Sequence, residues 1–200
     1  MDHADDGAND DVFVVYMGGD QVVPRNVRRV RIHKSVKIIR WRAFIYCADL
    51  VSIEMHDDVE GISKQAFSYC SSLRRIKLSG VRVIEKDAFA GCRALESVEF
   101  GDKLETIGES AFQSTSLRSI KLPKVWIIGT GAFKHCDKLT DVELSEDLGT
   151  IEECAFGESP RLRRIVMPLK DNLLGDDVFY ECEDLSQVDP DPQNYLLIAS

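Results

Sequence analysis

The chain has 200 residues, 44% of them apolar and 30% charged, with a formal net charge of −9. That composition supplies a real core and belongs to an ordered protein rather than a disordered one. A pI near 5.0 argues against nucleic-acid binding, which needs a cationic excess to meet phosphates, and no stretch approaches the roughly 18 apolar residues of a membrane helix.

Residues 1–11, "MDHADDGANDD", carry five aspartates and have neither the basic nor the apolar region of a signal peptide. They read as an acidic disordered arm, and the chain reads as intracellular and cytoplasmic. Residues 12–26 form an N-terminal covering segment, with "VFVVYM" (12–17) as its strand. From 27 to 189 the chain repeats. The motif Ala-Phe recurs with its Ala at 43, 66, 88, 111, 132 and 155, and Val178 takes that place in a seventh copy. The steps are 23, 22, 23, 21, 23 and 23 residues, the short one marking a deletion in "AFQSTSL" and a tight turn at "LPKV". Residues 190–200 form a C-terminal tail without an obvious polar capping unit. The end of the array is therefore open to cover by another segment or subunit, and oligomerisation through it is an expectation.

Each unit reads Ile-x-x-x-Ala-Phe-x-x-Cys-x-x-Leu-x-x-Ile-x-Leu, then a turn, then Val-x-x-Ile. In "LRRIKL" (73–78) apolar and polar residues alternate, the period of a half-buried strand. One such strand per ~23 residues has no local partner, so successive copies must stack as a parallel sheet. The expected fold is a mainly β repeat solenoid, with one parallel strand per coil and short turns or helical turns opposite. Alanine permits close approach at the turn, and phenylalanine fills the interior.

The stretch "IGESAFQSTSLRSIKLP" (107–123) resembles the BspA-like class of leucine-rich repeats, and the likeness extends over about four fifths of the chain. The resemblance implies a leucine-rich-repeat coil with binding surfaces and no fixed chemistry. Many members of that class are surface or secreted proteins.

Five cysteines, Cys47, Cys70, Cys92, Cys136 and Cys182, occupy one place in the repeat, and Ser159 replaces the cysteine in the sixth copy. They read as a ladder of buried free thiols, which suits a reducing compartment. Cys154 is off-register and reads as the most accessible thiol. No Cys-x-x-Cys spacing supports zinc, and His33 and His56 read as solvent-facing turn residues. No cofactor, small-molecule substrate or catalytic constellation is indicated, so the chain reads as a non-enzyme.

The outward place between the strand's Ile and Leu reads Arg31, Glu54, Lys77, Glu99, Lys121, Glu143, Val166 and Asp189. Alternating signs one rung apart imply a ladder of salt bridges between neighbouring coils. The places just before that Ile hold Arg28 and Arg29, Arg74 and Arg75, Arg118, then Arg163 and Arg164, on alternate coils and without matching acids between them. The expected function is protein–protein interaction through this sheet face with an acidic segment of a partner. Arg29, Arg31, Arg74, Arg75, Lys77, Arg118, Lys121, Arg163 and Arg164 are the contact residues, and Trp126 is a candidate hot spot. The alternative is a cell-surface adhesion or glycan-binding module.

Overall fold

A computed structural model describes residues 13–190. The arm at 1–11 and, apart from Pro190, the tail at 190–200 lie outside the described residues. In chain order the strands are β1 (Val14–Tyr16), β2 (Arg29–Ile32), β3 (Ile38–Ile39), β4 (Ser52–Glu54), β5 (Gly61–Ile62), β6 (Arg75–Leu78), β7 (Val83–Ile84), β8 (Ser97–Phe100), β9 (Thr106–Ile107), β10 (Ser119–Leu122), β11 (Ile127–Ile128), β12 (Asp141–Leu144), β13 (Thr150–Ile151), β14 (Arg164–Met167) and β15 (Gln187–Pro190). All pairings are parallel. The described residues contain no helix, so the side opposite the longer strands is turn and short strand throughout.

The fold is the expected parallel solenoid, with a second strand in each of the first six coils that the sequence did not announce. The Val-x-x-Ile segments form a continuous six-stranded sheet, β3-β5-β7-β9-β11-β13. Two residues per coil suffice because each short strand is held at both ends by its neighbour. Glu60 N–H donates to the Lys37 carbonyl at 2.7 Å, and Ser63 N–H to the Ile39 carbonyl at 2.9 Å. Coil 1 comprises β2, β3 and the turn of Phe44. Coils 2 to 6 follow in the same pattern, with the turns of Phe67, Phe89, Phe112, Phe133 and Phe156 in order, and coil 7 has β14, a single bridge from Leu174 to Ile151 and the turn of Phe179.

The core is a set of columns running along the axis. Tyr16 begins an aromatic column that continues through the seven phenylalanines, with successive ring centroids 5.0 to 5.9 Å apart and the phenylalanine rings near-parallel. Such pairs contribute about 0.5–1.5 kcal/mol each beyond the area they bury. The turns that carry them hold left-handed residues at two repeated places, among them Arg42, Gln65 and Asp87 at one and Tyr46, Tyr69 and His135 at the other. Gly91 takes the second place in coil 3, and a Cβ there would sit 2.7 Å from Tyr69 Cδ1. Glycine therefore both accepts the backbone angle and leaves room for the ring.

The longer strands do not make one sheet. They fall into three blocks, β1-β2-β4, β6-β8 and β10-β12-β14-β15. The two seams, between coils 2 and 3 and between coils 4 and 5, interrupt the hydrogen-bond ladder on this face only. The second seam coincides with the deletion in "AFQSTSL". There Ser116 N–H reaches the Leu95 carbonyl at 3.0 Å and its hydroxyl the Arg93 carbonyl at 2.7 Å, replacing the contacts of a full-length turn.

Candidate functional site

The outward residues of the longer strands form the face that the charge columns mark. Its central column pairs Arg31 with Glu54 at 2.5 Å, Lys77 with Glu99 at 3.3 Å and Lys121 with Glu143 at 2.5 Å. Each pair spans two hydrogen-bonded strands, β2–β4, β6–β8 and β10–β12. Across the seams, Glu54 and Lys77, and likewise Glu99 and Lys121, make no ion pair within 4.0 Å. The expected continuous ladder is thus a set of separate bridges, one inside each block. Val166 does not open a gap in an exposed stripe, because it is buried.

The flanking arginines differ among themselves, which corrects the expectation that they lack matching acids. Arg164 Nε reaches Asp189 at 2.9 Å, Arg163 Nε reaches Asp184 at 3.6 Å, and Arg118 lies 3.9 Å from Glu96. A guanidinium on a long stem reaches diagonally: Arg164 stands opposite Gln187 in the register but bonds Asp189 two places on. Arg29 and Arg31 both lie 4.6 Å over the Phe13 ring. Arg74 and Arg75 are exposed and, among the described residues, have no carboxylate within 4.0 Å.

The seams add a feature that the repeat pattern did not mark. Inward-facing strand residues are buried in most coils, but Ile53 and Met55 at the first seam and Val98 and Phe100 at the second are only partly buried. Each pair sits on the upstream lip of its seam. Arg74 and Arg75 stand on the downstream lip of the first, Arg118 and Lys121 on that of the second. Sequence reasoning placed the four apolar residues in the core with their equivalents. The one sequence signal near either seam is the deletion at 113–116.

Trp126 lies off this face, just before β11, and is 58% exposed. Its ring covers Gly149, where a Cβ would stand 2.5 Å from Trp126 Cε2. On its other side is a shallow cleft with Arg82, Lys103, Glu105 and Lys124 on its walls. The structure therefore does not bring Trp126 together with the arginine rows.

The thiol ladder has a defined geometry. The S–H groups of Cys70, Cys92, Cys136 and Cys182 donate to the carbonyls of Phe44, Phe67, Phe112 and Phe156 at 3.2, 3.0, 3.4 and 3.1 Å. Ser159 Oγ does the same to Phe133 at 3.1 Å. Burial pushes the thiols of Cys47 and Cys136 up to about 11, which suppresses the nucleophilic thiolate. Cys154 is partly exposed and outside the ladder, and Cys182 is partly exposed within it. His33 and His56 are partly buried rather than solvent-facing, since His56 Nε2 donates to the His33 carbonyl at 3.1 Å and Asp58 N–H to His56 Nδ1 at 3.3 Å. No cluster of three or more His, Cys, Asp or Glu among the described residues has a metal-binding arrangement. No described helix is long and apolar enough to cross a membrane.

Comparison with solved structures returns bacterial leucine-rich repeat proteins. A leucine rich cell surface protein from Faecalibacterium prausnitzii matches with 25% identity and a TM-score of 0.60, over 82% of this chain and 55% of that one. The leucine rich repeat protein of T. pallidum matches with 26% identity and a TM-score of 0.54, over 79% of this chain and 64% of that one. A leucine-rich repeat protein from Eubacterium ventriosum, at 22% identity and a TM-score of 0.59, covers 82% and 49% respectively and shows the shared fold. The chain thus spans between about half and two thirds of the length of these relatives. No curated protein matches it in sequence. The family model for the BspA type leucine rich repeat region matches residues 24–115 and 78–186, in six copies. The chain belongs to the BspA type leucine rich repeat family, which points to a protein-binding or surface scaffold and is generally non-enzymatic.

Proposed function

We propose that the protein is a non-catalytic scaffold whose outer sheet face binds an acidic, apolar-bearing segment of a protein partner, centred on the seam between coils 2 and 3. One observation carries this reading: Arg74 and Arg75 are exposed and unpaired among the described residues, on the lip of a seam that leaves Ile53 and Met55 partly open. Charge-assisted hydrogen bonds contribute about 1.5–3 kcal/mol each, and the apolar lip adds area that water leaves on contact. Arg163 and Arg164 are held by Asp184 and Asp189 and contribute less.

Fluorescence anisotropy against an array of acidic peptides, with and without apolar residues, tests it. Wild type should select acidic peptides carrying apolar residues, and the double change Arg74→Glu, Arg75→Glu should weaken them at least about tenfold. Arg163→Glu should leave affinity nearly intact. Equal binding by all three proteins contradicts the reading.

A surface setting is the second reading, supported by the Faecalibacterium prausnitzii neighbour, which is a cell surface protein. The exposed Trp126 beside its charged cleft suits a saccharide ring there. A ladder of free thiols suits a reducing cytoplasm instead, and cell fractionation decides between the two settings.

A further inference from the structure

We propose that copies of this chain stack head to tail, the coil 7 end of one solenoid against the coil 1 end of the next. The two ends carry opposite charge. From Arg25 to Arg42 there are eight basic residues and no acidic one; from Asp171 to Pro190 there are seven acidic residues and no basic one. The opposition holds place by place in the repeat. Arg25 and Glu183 occupy equivalent places, as do Arg42 and Asp177, and Arg31 and Asp189. Stacking the last coil on the first, with β1 between them, therefore brings acidic places of one copy within two rungs of basic places of the next.

Both ends also present what a further coil would cover. At the C-terminal end, Val188 is 49% exposed although it stands in the inward column opposite Ile165. Leu174, which bridges to Ile151, and Tyr180, in the Phe179 turn, are exposed as well. At the other end Met17 and Val22 are exposed. Among the described residues β15 pairs only with β14 and β1 only with β2, so each leaves one strand edge unpaired. Inward residues dictate the register: Val14 and Tyr16 in β1 pair with Val30 and Ile32, and Val188 in β15 pairs with Ile165. Continuation of the columns places Val14 of one copy on Val188 of the other and Val15 on Asp189. The opposed charges then stand one or two rungs apart, about 5–10 Å, within a Debye length at physiological salt. The contact is heterologous, joining different surfaces, so it grows into an open chain of copies unless a rotation closes it.

The contact uses the ends and not the arginine face, so its test is independent of the proposed function. Sedimentation velocity of the full chain at about 50 mM and about 500 mM salt is the measurement. At low salt and high concentration the mean mass should reach at least about twice the 22.5 kDa monomer, and high salt should return it to the monomer. The pair Arg25→Glu, Arg42→Glu should abolish association, and so should Asp177→Lys, Glu183→Lys. Equimolar mixing of the two variants, each folded by circular dichroism, should restore association at low salt, because the intact acidic end of one meets the intact basic end of the other and the two reversed ends also match in sign. The chain carrying all four changes should again form higher assemblies. A wild type that stays monomeric at low salt, or single-end variants that associate as the wild type does, overturns the proposal.

Discussion

At four coils, the thiol three places after the repeat phenylalanine points its S–H at the phenylalanine carbonyl one coil back, and in coil 6 a serine hydroxyl takes over the same bond. The position therefore demands a small donor rather than sulfur as such. Cys92→Ser should cost less stability than Cys92→Ala, which leaves the buried Phe67 carbonyl with only its bond from Cys70 N–H and should cost about 0.5–1.5 kcal/mol. Urea unfolding of the two variants measures the difference, and equal losses contradict the role. The ladder also fixes an alkaline limit. Burial raises the folded thiols of Cys47 and Cys136 to about 11, and that of Cys182 also lies above its ordinary value through burial. Between about 8.5, where an unfolded thiol ionises, and 11, the unfolded chain releases protons that the folded chain keeps. Stability is thus full below the lower value and falls as pH rises. The melting temperature should drop over that interval, and Cys136→Ser should flatten the slope; an unchanged slope contradicts it.

At the scale of strands, the seams are where the repeat fails to be uniform. The short-strand sheet runs unbroken through six strands, whereas the longer strands break after β4 and after β8. Ion pairs of the central column follow the same grouping, and the second seam is spanned only at its flank, by Arg118 and Glu96 at 3.9 Å. Amides on the seam edges should open at lower free energy than those inside a block. Hydrogen exchange should therefore be faster in β6 and β10 than in β12 and β14; uniform protection across the face contradicts the seams. The strand repeat was legible in the sequence because alternation in "LRRIKL" and the Ala-Phe spacing recur in every copy. The short second strand was not, since two residues show no period. Nor were the seams: Ile53, Met55, Val98 and Phe100 have the residue types of their buried equivalents, and their exposure depends on how one coil sits on the next.

For the whole molecule, stacking converts a sequence repeat into a surface, and each coil contributes one row to it. The charged rows were legible in the sequence. Their pairing was not, because whether an arginine is free depends on diagonal reach: Arg164 finds Asp189, and Arg75, opposite Ser97, finds no acid. What distinguishes one part of this face from another is thus local, in Arg74, Arg75 and the seam they border. The most direct test is a hydrogen-exchange footprint of the full chain with an acidic, apolar-bearing peptide selected by the array. Protection confined to residues 52–55 and 74–77 is the expected result. Protection at Trp126 or along the turns, with the seam unchanged, contradicts the assignment.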